Sequence, residues 1–84
     1  MRLLLQQRPD GHEAPRFVQL QLQPDLLGGW TLLRETGQIG GRSSLRKELY
    51  ADQNSAITAL EAARDQQIKR GFQLVFAQGA DAPR

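Results

Sequence analysis

Residues 16–23 alternate between apolar and polar side chains, and this pattern constrains the fold more than any other part of the sequence. The apolar residues are Val18, Leu20 and Leu22, and the residues between and after them are Gln19, Gln21 and Gln23. Because successive side chains of a strand point to opposite faces of a sheet, the pattern predicts a strand with one buried and one hydrated face. The rest of the chain must therefore complete a sheet and cover its buried face.

Four other segments have strand character. They are Met1–Gln7, Trp30–Thr36, a segment from Ser43 or Ser44 to Tyr50, and the short segment Phe72–Phe76. Turn residues separate the first strands: a Pro-Asp-Gly triplet at 9–11, the pair Gly28-Gly29, and three glycines between Gly37 and Gly41. Consecutive strands joined by such turns predict an antiparallel meander.

The hydrophobic period changes after Tyr50 and indicates a helix at about residues 53–70. Asp52 is a favourable N-cap, and Gly71 stands where a helix often ends in a glycine. The apolar residues that share one helical face are Ala56, Ile57, Leu60 and Ala63. We therefore predict an α+β fold with two layers, in which a single C-terminal helix covers one face of an antiparallel sheet of four to five strands.

The 84 residues are enough for one small domain, which we place at residues 1–76, with a flexible tail at 77–84. The chain contains no cysteine, so disulfides and thiolate metal sites are excluded. No apolar run approaches the roughly 20 residues that span a bilayer, and the run Leu3-Leu4-Leu5 is too short for a signal peptide. We expect a soluble cytoplasmic protein.

Three short motifs occur in the order and spacing of a known family. They are Gly29-Trp30, Gly37-x-Ile39-Gly40, and Lys69-Arg70-Gly71-Phe72 at the end of the predicted helix. From about Arg16 to Phe76 the chain resembles the WGR domain family. This family includes small bacterial stand-alone proteins and the regulatory module of DNA-dependent poly(ADP-ribose) polymerases. The resemblance implies a DNA-binding domain without catalytic activity.

The motif that names this family aligns with Thr36-Gly37-Gln38, of which only the glycine is retained. In the polymerases, the tryptophan and arginine of the motif engage the end of the nucleic acid. Thr36 and Gln38 can donate neutral hydrogen bonds to phosphate or sugar, but they supply neither stacking area nor positive charge. Gln67 also stands where many family members have a lysine.

The basic residues near the glycine turn are the second basis for the functional hypothesis. The formal net charge is only +2, so the distribution of charge matters more than its sum. Our first hypothesis is a non-catalytic module that binds the backbone of DNA or RNA weakly. Its predicted contact residues are Arg34, Thr36, Gln38, Arg42, Arg46 and Lys47. Three or four phosphate contacts predict a log–log salt slope of about −3 to −4 on duplex DNA.

The alternative hypothesis is a protein-interaction module, whose partner is another protein or a second copy of the chain. The face that carries the glutamines, or an exposed edge of the sheet, would then make the contact. Two carboxylates discriminate between the hypotheses. If Glu35 and Glu48 neutralise the arginines near the turn, the hypothesis of protein association is favoured. If the arginines form a patch without carboxylates, the hypothesis of nucleic-acid binding is favoured.

The sequence contains no arrangement that predicts an enzyme, a metal site or a cofactor. His12 is the single histidine, and two carboxylates in the same loop make a poor metal site with it. No serine, cysteine or phosphate-loop motif supplies a nucleophile or a nucleotide cradle.

Overall fold

The structure, a computed structural model, describes residues 1–7 and 14–79. Five strands and one helix make up this part of the chain. They are β1 (Arg2–Gln7), β2 (Arg16–Pro24), β3 (Trp30–Gln38), β4 (Ser43–Tyr50), α1 (Gln53–Lys69) and β5 (Phe72–Gln78). The element order and the α+β class are those predicted from the sequence.

The five strands form one antiparallel sheet in the order β4-β3-β2-β1-β5. The first four strands are the predicted meander. The chain then crosses the sheet through α1, so that β5 pairs with β1 at the opposite edge. The pairing of β1 with β5 shifts register between Leu4 and Leu5, whereas β3 and β4 pair without interruption from Trp30 opposite Tyr50 to Gly37 opposite Ser43.

The core lies between α1 and one face of the sheet, which we call the helix face. Its buried residues are Leu3, Leu5, Val18, Leu20, Leu22 and Leu32 from the strands and Ala56, Leu60 and Ala63 from the helix. The alternation in β2 and the helical stripe therefore meet, as the sequence predicted. Trp30 is half-buried and packs against this cluster.

The opposite face of the sheet, the open face, is a mixture of polar and apolar side chains. By strand alternation it carries Leu4, Phe17, Gln19, Gln21, Gln23, Leu33, Leu45, Lys47, Leu49 and Phe76. Phe17 shares this face with the glutamines. No helix formed by residues 1–7 or 14–79 lies on the open face, because α1 packs on the other side.

Both predicted helix ends are confirmed. The Asp52 carboxylate accepts a hydrogen bond from the Ser55 N–H at 2.7 Å, and it is the N-cap of α1. Gly71 has a φ of +97°, a left-handed conformation that glycine adopts without strain. Its N–H donates to the carbonyl of Ile68, which satisfies one of the last carbonyls of the helix.

Three strands are longer than predicted, and β2 gains only Pro24. Strand β3 continues to Gln38 instead of ending at Thr36, because β2 still pairs with it at Arg16. Strand β5 continues to Gln78, so the predicted tail does not begin at residue 77. Leu3 and Arg2 of β1 pair with Ala77 and Gln78 and extend the ladder there. Residues 80–84 lie outside the described part of the chain.

Candidate nucleic-acid interface

Arg34 and Arg46 lie opposite each other on β3 and β4, and both contact the carboxylate of Glu48. Nη2 of Arg34 is 3.3 Å from each oxygen of Glu48. Nη2 of Arg46 is 2.9 Å from Oε2. The Glu48 carboxylate thus accepts hydrogen bonds from two guanidinium groups. Arg34 and Arg46 are therefore already paired within the protein. Because a carboxylate neutralises them, protein association is favoured over nucleic-acid binding at this position.

The Arg34–Glu48 pair lies on the helix face rather than on an open surface. Arg34 is the register partner of the buried Leu20, and only 22% of the side chain of Arg34 and of Glu48 is exposed. The Arg46 side chain is 71% exposed. Since a half-buried charge is stabilised by its partner much more than an exposed one, Glu48 holds Arg34 more firmly than it holds Arg46.

Tyr50 extends the cluster around Glu48. Its hydroxyl donates a hydrogen bond of 3.1 Å to Oε1 of Glu48. Burial raises the pKa of Tyr50 above its ordinary value of 10.0, and the hydrogen bond to Glu48 and the negative charge of that carboxylate raise it further. The second discriminating carboxylate, Glu35, accepts a hydrogen bond of 2.8 Å from the Ser43 hydroxyl and forms no ion pair among the described residues.

Lys47 is separated from the other predicted contact residues by the sheet itself. It is opposite Leu33, on the open face, whereas Arg34 and Arg46 are on the helix face. The predicted contact residues therefore fall into three groups. Arg34 and Arg46 are ion-paired, Lys47 lies on the open face, and the others lie at the β3–β4 hairpin.

Thr36, Gln38 and Arg42 form this remaining group, and the structure adds Arg16 to it. All four line a shallow depression of about 530 Å³ at the hairpin between β3 and β4, together with Gly37, Ser43 and Ser44. Arg16 is opposite Gln38 in the β2–β3 register. The Gln38 side chain donates a hydrogen bond of 3.0 Å to the carbonyl of Ala14, which ties the hairpin to the chain just before β2.

A second depression of about 460 Å³ adjoins the first and shares Arg16 and Thr36 with it. It lies between the end of α1 and the sheet. Its lining residues are Gln7, Arg16, Phe17, Val18, Thr36, Gln67, Arg70 and Phe72. No aspartate or glutamate of residues 1–7 and 14–79 lines either depression. Within residues 1–7 and 14–79, no carboxylate forms an ion pair with Arg16, Arg42 or Arg70.

The lack of a side chain at Gly37 allows β3 to approach the start of β4 closely at the hairpin. A Cβ at this position would lie 2.7 Å from both Cα and Cβ of Ser43, closer than non-bonded carbon atoms approach. The glycine of the Thr36-Gly37-Gln38 segment is therefore required by the packing of the two strands. Its neighbours are held at the mouth of the depression as a consequence.

Arg16 and Arg70 were not among the predicted contact residues. The signal for Arg16 was present in the sequence, since counting back along both strands from the Gly28-Gly29 turn places Arg16 opposite Gln38. Arg70 reaches the site because α1 runs toward that end of the sheet, which no local pattern specifies. It is the C-cap residue of α1.

No group of three or more histidine, cysteine, aspartate or glutamate side chains that could hold a metal ion occurs in the described part of the chain. The predicted loop with His12 lies outside that part. In the same residues, no helix has the length and apolar character needed to cross a membrane.

Comparison with known proteins identifies no relative. The chain matches no protein-family model, no curated protein and no solved structure.

Proposed function

We propose that the protein is a non-catalytic module that binds the phosphate backbone of nucleic acid weakly at the β3–β4 hairpin. The observation that carries this proposal is the pair of adjoining depressions that share Arg16 and Thr36 and have no carboxylate among the described residues that line them. Arg42 contributes to one depression and Arg70 to the other. The contact surface proposed here differs from the one expected from sequence, because Glu48 binds Arg34 and Arg46 and Lys47 faces away.

The chemistry of these side chains suits a polyanion. Guanidinium groups form paired hydrogen bonds with phosphate oxygens, and the Thr36 hydroxyl can add a neutral one. Among the described residues no carboxylate forms an ion pair with Arg16, Arg42 or Arg70, and their positive charges favour an anion at the hairpin. The resemblance to the WGR domain supports the same location, since Thr36 and Gln38 occupy the positions at which the polymerases engage nucleic acid.

A fluorescence anisotropy titration with a short, blunt-ended, labelled DNA duplex tests the proposal. Three phosphate contacts predict a log–log salt slope of about −3. Arg16→Gln should weaken binding and make the slope about one unit shallower. Lys47→Gln is the matched control, because it removes one positive charge from the open face and leaves both depressions intact.

Two outcomes would contradict the proposal. One is the absence of binding at low salt. The other is equal weakening by Arg16→Gln and Lys47→Gln, which would show that net charge rather than the hairpin site determines binding.

We infer self-association as a second candidate function, and the outer edge of β4 favours it. Leu45 and Leu49 of this edge strand are 59% and 73% exposed on the open face. Exposed apolar side chains on an edge strand are typical of strands that pair with another chain.

A further inference from the structure

We propose that two copies of the protein join their β4 strands in antiparallel orientation, with Lys47 of one copy opposite Lys47 of the other. This inference rests on the second candidate function, self-association, and names the surface and the register. The product is a continuous ten-stranded sheet with both helices on the same side, since a two-fold axis perpendicular to a sheet preserves its faces.

The two edges of the sheet differ in their fitness for such pairing. β4 pairs with β3 without a register shift over its whole length, so its outer edge presents a regular row of backbone N–H and C=O groups. The other edge strand, β5, has an irregularity between its pairings with Leu4 and Leu5. An irregular edge interrupts the regular hydrogen-bonding row that a partner strand requires. No described residue forms a strand on the outer side of β4.

Among the registers that pair nearly the whole of β4, the side chains favour one. In a two-fold antiparallel pair, facing residues must belong to the same face of the sheet. With Lys47 at the axis, Arg46 faces Glu48 of the second copy on the helix face, and Leu45 faces Leu49 on the open face. Both pairs then occur twice by symmetry, and both are complementary in charge or in apolar character.

The neighbouring registers lack this complementarity. With Arg46 at the axis, two arginines face each other and Leu45 faces Lys47. With Glu48 at the axis, two glutamates face each other and Lys47 faces Leu49. In the selected register the single unfavourable pair is Lys47 with its symmetry mate. The Lys47 pair therefore weakens the association without changing its register.

Cysteine cross-linking tests the register directly, because the chain contains no cysteine of its own. Lys47→Cys should form a disulfide-linked dimer on mild oxidation, since directly opposed Cα atoms lie about 4.5–5.5 Å apart and disulfides need about 4.4–6.8 Å. Arg46→Cys is the matched control. Its symmetry mate lies diagonally across the pair, more than about 7 Å away, and cannot be bridged.

Sedimentation equilibrium measures the association itself. The mass should rise with concentration from 9.4 kDa toward that of a dimer. Lys47→Thr should tighten association by about two- to fivefold because it removes one like-charge pair. Leu49→Lys should abolish it. Val75→Lys should have no effect, because Val75 is an exposed apolar residue of β5, at the opposite edge of the sheet from β4.

The failures of the two claims are distinguishable. A mass that doubles but does not respond to Leu49→Lys, with equal cross-linking of Lys47→Cys and Arg46→Cys, would overturn the β4 register and leave self-association standing. A mass of 9.4 kDa at every concentration, for both the native protein and Lys47→Thr, would overturn both.

Discussion

Replacement of Glu48 by glutamine should destabilise the protein strongly, although the change conserves the size of the side chain. Glu48 is the one carboxylate of the described residues that binds the half-buried Arg34, and glutamine removes its charge while keeping one oxygen as an acceptor. The charge-assisted hydrogen bonds of Arg34 contribute about 1.5–3 kcal/mol. The exposed Arg46 adds less than about 1 kcal/mol. We therefore expect a loss of about 2 kcal/mol in the free energy of unfolding.

Thermal unfolding followed by circular dichroism measures this loss. For a domain of this size, about 2 kcal/mol corresponds to a decrease in Tm of roughly 10 °C. Arg46→Gln is the matched control, since it removes the exposed partner of the same carboxylate and should lower Tm by no more than a few degrees. A Glu48→Gln variant as stable as the native protein, or as stable as Arg46→Gln, would refute the reasoning from burial.

Tyrosine titration provides an independent measurement on the same variant. Tyr50 is the single tyrosine of the chain, so the ultraviolet absorbance of tyrosinate reports its pKa alone. In the native protein the midpoint should lie above 10.0. Glu48→Gln removes the negative charge next to the hydroxyl and should lower the midpoint while burial keeps its own contribution. An unchanged midpoint would show that Glu48 does not contact Tyr50 in solution.

Three further predictions concern the fold. Leu32→Ala should lower the free energy of unfolding in urea by about 3 kcal/mol, because Leu32 is fully buried and truncation leaves a cavity. Gly37→Ala should cost about 1–3 kcal/mol through its collision with Ser43, whereas Gly41→Ala should be nearly neutral because its added Cβ meets neighbours at 3.5 Å. The pKa of Asp52 is lowered from 3.8 by the hydrogen bonds it accepts at the start of α1. Its contribution to stability is present above 3.8 and is lost as the pH falls through the lowered pKa; Asp52→Asn should flatten this part of the pH–stability profile.

Most of the architecture could be predicted because its signals are local. The alternation around Leu20, the Asp52 cap and the glycine at position 71 each specify a backbone conformation without reference to distant residues. The length of β5 could not be predicted in this way. It reaches Gln78 because Arg2 lies beside it, and the choice of β1 as its neighbour depends on where the helix crosses the sheet.

Part of the candidate site could also be predicted, because strand alternation and hairpin register are local signals. Arg34 lies opposite Arg46 because of the β3–β4 register, which the hairpin fixes locally. Register also identifies Glu48 as the carboxylate on their face and places Glu35 on the opposite face, but it does not show that α1 covers the face of Arg34 and Glu48 and half-buries this pair. Arg70 enters the site through tertiary packing of α1, for which the sequence has no local signal.

A chemical-shift titration of the ¹⁵N-labelled protein with a short DNA duplex at low salt tests the central claim most directly, because it reports binding and location together. We predict progressive shifts of the amides of Arg16, Thr36, Arg42 and Arg70, which reverse when salt is added, and no comparable shift at Lys47 on the open face. A spectrum unchanged by excess duplex, or shifts centred on Lys47 and the open face, would contradict nucleic-acid binding at the hairpin.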